Sequence, residues 1–226
     1  MKLIDLFEDE MSDLEKVTKD PFAIKHIKNP SLEVQLAAVR GNASAIDFIK
    51  NPSEQVQLES VHNFPFSVRY IKNPPLEVQL AAVSHYGRVI RHIKNPSLEV
   101  QLEAVRQNGY AIEDIKNPSL EVQLAAVKQN GNAIESIKNP SLEVQLAAVR
   151  RNGFAIKHIK DPSLEAQLAV VRQNGYAIGY IKNPSLELQY YVIRKDPELF
   201  HSIKNPHRKA RYFYELLTDH ERFGKQ

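Results

Sequence analysis

Cationic and aromatic residues are concentrated in two windows of the chain. Residues 62–94 contain five Lys or Arg residues and one acidic residue, whereas residues 194–212 contain six and two. Aromatic rings beside guanidinium groups can stack on nucleic-acid bases or hold an acidic protein segment. The candidate partner-binding residues of the first window are Phe66, Arg69, Tyr70, His85, Tyr86, Arg88, Arg91 and His92. The second window gives a secondary basic patch, for which a solvated cap is the alternative interpretation: Lys204, Arg208, Lys209, Arg211 and Tyr212.

Two columns of charge recur along the chain at a constant step of 22 residues. A regular row of lysines could follow a phosphate backbone. Glutamates follow five residues after most of these lysines, so neutralisation between the columns, or lysines that face helix carboxyl ends, is the alternative. The lysine column is Lys28, Lys50, Lys72, Lys94, Lys116, Lys138, Lys160, Lys182 and Lys204, and the glutamate column is Glu33, Glu77, Glu99, Glu121, Glu143, Glu165 and Glu187.

The sequence contains no pattern that predicts an enzyme or a metal site. The chain has no cysteine, which removes thiolate nucleophiles, disulfides and cysteine metal ligands. Its eight histidines are scattered, and none pairs with another at metal-ligand spacing on an evident helix face. A phosphate-binding loop and a paired-carboxylate motif are also missing from the sequence. We therefore predict a non-catalytic protein that uses no cofactor.

The element that must position these side chains is a 22-residue repeat, with Ile93 to Asp114 as its reference copy. Short units of this kind bury their apolar faces only against their neighbours. The period therefore predicts an all-α fold, an α-solenoid of two-helix repeats that forms a single elongated, curved domain. The first isoleucine of the unit recurs without insertion or deletion at Ile27, Ile49, Ile71, Ile93, Ile115, Ile137, Ile159, Ile181 and Ile203.

Each unit is predicted to contain one helix of about three turns and a short α- or 3₁₀-helical return. Asn95 before the proline is the expected N-cap of the long helix, with Ser97 as the alternative. Asn108 and Gly109 are expected to supply the left-handed residue that ends this helix. The return, Tyr110 to Lys116, has room for barely two turns. The apolar positions of the long helix cover most of its circumference, so we expect it to be enclosed on several sides.

A glutamine column lies within the apolar arc of the long helices. A buried amide without a partner costs about 1–3 kcal/mol, so these side chains must be hydrogen-bonded. We expect their partners to be the asparagine column at the helix starts or the loop backbone of the next unit. That interpretation gives the glutamines a structural role. The column is Gln35, Gln57, Gln79, Gln101, Gln123, Gln145, Gln167 and Gln189.

The domain organisation follows from where the repeat loses its regularity. Residues 1–26 are predicted to form an N-terminal capping helix and a degenerate repeat, residues 27–202 eight repeats, and residues 203–226 a degenerate repeat and a C-terminal capping helix. No stretch resembles a secretion signal or reaches transmembrane length. We therefore expect a cytoplasmic protein without a membrane partner.

The repeat resembles known helical repeat families. Residues 117–127, Asn-Pro-Ser-Leu-Glu-Val-Gln-Leu-Ala-Ala-Val, are similar to the Asp and Val-Arg signature of HEAT-type repeats, and the long-plus-short helix unit resembles leucine-rich variant repeats. The Ala-Val-Lys-Gln-Asn-Gly of residues 126–131 resembles a bacterial and viral repeat family of unassigned function. The unit departs from these families in its short length, its uncharged Asn and Gln, and its lack of a cysteine cluster. The resemblance implies a solenoid that binds proteins or, in some members, nucleic acid.

Three functions are compatible with the sequence. The first is an adaptor or inhibitor that holds a protein partner along a variable stripe of the short helices, where aromatic and charged residues collect. The second is a nucleic-acid binder that uses the 62–94 window and the lysine column. The third is a structural spacer whose variable positions are merely solvated.

Overall fold

The computed structural model describes residues 11–223, and side chains as far as residue 218. Long α-helices alternate with six-residue 3₁₀-helices throughout this range, and no strand occurs in it. The α-helices are α1 (Asp13–Lys19), α2 (Leu32–Gly41), α3 (Glu54–Asn63), α4 (Leu76–His85), α5 (Leu98–Gln107), α6 (Leu120–Gln129), α7 (Leu142–Arg151), α8 (Leu164–Gln173), α9 (Leu186–Lys195) and α10 (Arg208–Phe223). The 3₁₀-helices are η1 (Pro21–His26), η2 (Ala43–Phe48), η3 (Pro65–Tyr70), η4 (Gly87–His92), η5 (Gly109–Asp114), η6 (Gly131–Ser136), η7 (Gly153–His158), η8 (Gly175–Tyr180) and η9 (Pro197–Ser202).

The helices pack in two compact units, the N-terminal unit of residues 1–115 and the C-terminal unit of residues 116–226. Within each unit every α-helix packs against the next α-helix, and every 3₁₀-helix against the next 3₁₀-helix. This arrangement confirms the all-α class and the 22-residue solenoid repeat. The single elongated, curved domain stays a prediction. The N-terminal capping helix was expected in residues 1–10, which lie outside the described range.

Most long helices begin at a serine cap, α4 with Pro75 being an exception, and the predicted Asn95 cap is wrong. In the reference repeat, the Ser97 side chain accepts a hydrogen bond from the backbone N–H of Val100 (3.3 Å), which confirms the alternative. Asn95 instead takes a left-handed conformation with φ of 52°, two residues before that cap. Asparagine tolerates this region better than most residues, so it forms the turn that leads into the helix.

The expected left-handed stop at Asn108 and Gly109 is also wrong. Asn108 is extended, with φ of −148°, and its side chain accepts a hydrogen bond from the backbone N–H of Tyr110 (3.0 Å). The asparagine therefore ends the long helix by capping the 3₁₀-helix that follows it. The glycine after it serves close packing, since a Cβ atom on the equivalent Gly131 would lie 2.6 Å from the carbonyl oxygen of Ala148.

The glutamine column is hydrogen-bonded, mainly within its own repeat. In all eight repeats the amide group donates to the carbonyl oxygen of the proline five residues earlier, at 2.8–3.0 Å. Gln145 and Gln189 also accept a backbone N–H of the next repeat, from Ser163 and His207 respectively (both 2.9 Å). The amide groups are therefore hydrogen-bonded as expected, but their common partner is the loop backbone of their own repeat, and the Oε1 atoms of Gln35, Gln57 and Gln167 are buried without a partner.

The core of each unit consists of the valine, alanine and isoleucine columns. Val100, Ala104 and Ile112 of the reference repeat are almost completely buried. The leucine that begins each long helix behaves differently, because Leu98 keeps 47% of its surface exposed. The long helix is therefore less enclosed than expected, and its first turn presents an apolar side chain to solvent.

Candidate partner-binding site

The first window of the sequence falls on η3 and η4, in the N-terminal unit. In the regular repeats an asparagine precedes the 3₁₀-helix and caps it with its side chain. Phe64 and Tyr86 occupy this position before η3 and η4, and neither makes a side-chain cap. The two residues are 44% and 41% exposed. Two consecutive repeats have thus lost a stabilising hydrogen bond and gained an exposed aromatic ring.

These two rings belong to a cluster centred on Phe66. The centroid of the Phe66 ring lies 5.4 Å from that of Phe64, 5.1 Å from that of Tyr86 and 6.0 Å from that of His92. Such distances are typical of attractive contacts between aromatic rings. We call Phe64, Phe66, Tyr86 and His92 the aromatic patch. It joins side chains that are up to 28 positions apart in the sequence.

A cation lies beside the aromatic patch. The guanidinium group of Arg69 stacks over the ring of Tyr70 at 4.6 Å from its centroid and donates to the tyrosine hydroxyl. The pKa of His92 is lowered, mainly by burial and further by the charges of Arg69 and Arg91. His92 therefore remains neutral near pH 7, and the patch has an aromatic surface with a guanidinium group at its edge.

The other two arginines of the window are occupied by the next repeat. Arg88 lies 2.7 Å from the Glu113 carboxylate and 3.1 Å from that of Asp114, and Arg91 lies 3.3 Å from that of Asp114. The hydrogen bond to Asp114 is the main cause of the raised pKa of Arg88. These ion pairs hold η4 against η5. Two of the five cations of the window are therefore paired with carboxylates.

His85 lies apart from this arrangement. Its ring contacts the ring of His62 on α3, with the centroids 5.6 Å apart. His62 lines a groove of about 820 Å³ on the surface of α3, α4 and α5, together with apolar residues such as Leu80 and Leu98. The structure therefore brings seven of the eight predicted residues to η3, η4 and the positions beside them, and it assigns His85 to α4 and its contact with α3.

The secondary basic patch lies in the C-terminal unit, in the loop before α10 and in the first turn of α10. Lys204, Arg208 and Lys209 are exposed, as is Tyr212 at 63%. The guanidinium group of Arg211 lies 6.0 Å from the ring centroid of Phe200. Cations in a first helical turn oppose the helix dipole, so their charge does not serve helix stability.

The lysine column is exposed in every repeat. Within residues 11–218 the ion pairs of the chain join other residues, and none connects a lysine of this column to a glutamate of the other. Direct pairing between the columns, one of the two alternatives given from the sequence, is therefore not seen in the described residues. The lysine charges are available to a partner.

Comparison with known proteins gives no further assignment. The chain matches no protein-family model, no curated protein and no solved structure. Its resemblance to HEAT-type and leucine-rich variant repeats therefore stays a prediction. None of the helices in residues 11–223 combines the length and the apolar composition that a membrane crossing requires. The same part of the chain contains no cluster of three or more His, Cys, Asp or Glu side chains that could hold a metal ion.

Two features of the surface were not predicted. Phe64 belongs to the aromatic patch, and the sequence signal that could have found it is the missing asparagine of the repeat at this position. The second feature is the exposed leucine at the start of most long helices. The pattern of apolar residues in the sequence predicts that this leucine is buried. Its exposure depends on where neighbouring helices lie, which a single repeat does not specify.

Proposed function

We propose that the chain is a non-catalytic protein-binding solenoid, an adaptor or inhibitor, whose N-terminal unit holds a protein partner on the aromatic patch. The observation that carries the proposal is the replacement of two asparagine caps by Phe64 and Tyr86. A lost helix cap costs about 0.5–2 kcal/mol. A stability cost at an exposed site is typical of residues that serve binding.

The composition of the patch supports a protein partner. Interfaces obtain most of their binding energy from a few aromatic and arginine side chains at their centre. The aromatic patch supplies neighbouring rings, and Arg69 adds a guanidinium group beside them. Arg88 and Arg91, which a nucleic acid would need, are already paired with carboxylates.

The test restores the consensus residue. A Phe64→Asn/Tyr86→Asn variant should regain both caps and lose the partner. The measurement is a quantitative pull-down from native extract, compared with thermal unfolding of the same two proteins. The expected result is a higher melting temperature together with loss of the proteins that the wild type captures.

Tyr176→Asn is the matched control, because it removes an exposed ring from the C-terminal unit. It should leave the captured proteins unchanged. Equal capture by the wild type and the double variant would contradict the proposal and would favour a structural spacer.

Nucleic-acid binding is the second candidate, and the exposed lysine column is the observation that favours it. A single-stranded RNA oligonucleotide should then shift in a gel at about 50 mM salt and lose most of its affinity by about 200 mM. Lys72→Gln/Lys94→Gln should weaken the shift, whereas Phe64→Asn should have a smaller effect. The absence of any shift at the lower salt concentration would exclude this candidate.

A further inference from the structure

The boundaries between repeats in the C-terminal unit are closed at the start of η6 and η8 but open at the start of η7. A Cβ atom on Gly131 would lie 2.6 Å from the carbonyl oxygen of Ala148, and one on Gly175 would lie 2.4 Å from a methyl group of Leu199. The nearest atoms to a Cβ atom on Gly153 are 3.9 and 4.0 Å away, in Val170 and Gln173. The same repeat position therefore has room for a methyl group at η7.

The hydrogen bond that closes the η4 boundary is missing at η7. At η4 the side chain of Gln107 accepts the backbone N–H of Gly87 (2.7 Å), which fixes it against the neighbouring repeat. Gln173 holds the position equivalent to Gln107, yet its side chain makes no hydrogen bond within residues 11–218. Its amide group is therefore available to a ligand.

The opening forms a cleft of about 320 Å³ whose lining includes aromatic and cationic residues. The rings of Phe154 and Tyr180 meet edge to face, with centroids 4.9 Å apart, and both remain about half exposed. Arg150 and Arg151 also line the cleft, and no acidic residue does. Arg151 donates to the carbonyl oxygen of Lys128 (3.0 Å), whereas Arg150 makes no hydrogen bond or ion pair in the described part of the chain.

We propose that this cleft binds an acidic segment of a partner protein, with one Asp or Glu carboxylate on Arg150 and an adjoining apolar side chain on Phe154 and Tyr180. A guanidinium group binds a carboxylate through short, charge-assisted hydrogen bonds. The amide group of Gln173 supplies a further donor. The volume of the cleft suits one or two side chains of an extended segment. The site does not depend on the aromatic patch of the N-terminal unit.

The free space is tested first, by thermal unfolding. Gly153→Ala should melt at the wild-type temperature or above it, because its Cβ atom fits and the backbone is not in a left-handed conformation. Gly131→Ala should melt at a lower temperature, because its Cβ atom has no room. A lower melting temperature for Gly153→Ala would overturn the open cleft.

Binding is tested by fluorescence polarisation with a fluorescein-labelled peptide of alternating Glu and Phe residues. The full chain should bind it saturably, and Arg150→Gln should weaken binding about tenfold, the loss expected for a charged hydrogen bond. Gly153→Leu, which fills the cleft, should weaken it similarly while remaining folded by circular dichroism. A peptide of alternating Gln and Phe residues should bind as weakly as the Glu peptide binds to Arg150→Gln.

Lys128→Gln is the matched control, because it removes the same charge one repeat earlier, where the boundary is closed. It should leave the affinity unchanged, as should Phe64→Asn/Tyr86→Asn. Equal weakening by Lys128→Gln, equal binding of the two peptides, or no saturable binding would overturn the proposal. Displacement of the peptide by an equal concentration of a deoxythymidine oligonucleotide would also overturn it, in favour of nucleic acid.

Discussion

The two repeats of residues 49–92 have the same helical structure as the regular repeats of residues 93–158, but they differ in the residues that cap their helices. In the regular repeats each long helix has a serine cap and each 3₁₀-helix an asparagine cap. In the altered repeats Pro75 replaces one serine, and Phe64 and Tyr86 replace both asparagines, all without a side-chain cap. The fold therefore tolerates the loss of several local hydrogen bonds, because stacking of repeats supplies most of its stability.

The altered repeats also differ from the regular repeats in the core, where new polar side chains are hydrogen-bonded. Ser60 and Ser67 replace alanines of the regular core and are completely buried. Their hydroxyl groups are hydrogen-bonded to each other at 2.7 Å, and Ser60 also donates to the carbonyl oxygen of Ala43 (3.0 Å). Buried substitutions thus occur as a satisfied pair, whereas the exposed substitutions leave a cap unmade. This difference distinguishes substitutions that preserve the packing of the core from substitutions that change the exposed surface at a cost in helix capping.

The largest expected effect is on this buried pair. Ser60→Ala should lower the free energy of unfolding by about 1–3 kcal/mol, because it leaves the Ser67 hydroxyl buried without its partner. Ser60→Ala/Ser67→Ala restores the alanines of the regular repeats and should unfold at nearly the wild-type urea concentration. Urea unfolding of the two variants and of Ser67→Ala completes a double-mutant cycle. Additive losses in that cycle would show that the two serines act independently.

The next largest effect on stability is expected when the capping residues of the two kinds of repeat are exchanged. Asn108→Phe should lower the free energy of unfolding by about 1 kcal/mol, because the cap on Tyr110 is lost. Phe64→Asn should raise it by a similar or smaller amount, because a cap is gained and ring contacts with Phe66 are lost. Urea unfolding measures both. If both variants changed the free energy of unfolding in the same direction, the missing caps would not explain how the altered repeats differ from the regular ones.

A smaller effect is expected at the boundary where the two kinds of repeat meet. Arg88→Gln should lower the free energy of unfolding by about 1 kcal/mol or less, since its ion pairs with Glu113 and Asp114 are partly exposed. The loss should shrink at high salt, because salt screens charges on the surface. Arg69→Gln is the control, as Arg69 pairs with a tyrosine in place of a carboxylate. A loss that is independent of salt would assign Arg88 a packing role.

Much of the fold could be predicted from sequence because the copies of the repeat can be compared with one another. The constant step of 22 residues specifies stacked helical units, and the uniform valine and isoleucine columns identify the core. The errors lie at Asn95, Asn108 and Leu98, because these residue types are compatible with more than one local backbone structure or environment. A cap, a left-handed turn and a stop all favour asparagine, so only the backbone decides among them.

The candidate site was predictable in part, for a related reason. Aromatic and cationic residues in adjacent repeats had to lie near each other once the units stack, which places Phe66, Tyr86 and His92 together. The pairing of Arg88 with Asp114 could not be predicted, because it depends on the distance between side chains 26 positions apart. The open boundary at Gly153 depends on packing that the almost identical sequence at Gly131 does not reveal.

The smallest expected effect is a dependence of stability on pH that belongs to the altered repeats. Burial and the neighbouring charges of Arg69 and Arg91 lower the pKa of His92 in the folded chain, and Asp114 opposes this in part. Between that lowered pKa and the ordinary value of 6.5, the unfolded chain binds more protons than the folded chain. The free energy of unfolding therefore rises with pH through this window and falls on acidification.

His92→Gln should remove this contribution while keeping a side chain of similar polarity. Urea unfolding at about pH 7.5 and pH 5 should show a larger loss on acidification for the wild type than for the variant. An equal loss for the wild type and His92→Gln would mean that His92 is as free to take a proton as a solvated histidine. The aromatic patch would then carry positive charge below neutral pH and would suit an acidic partner better than an apolar one.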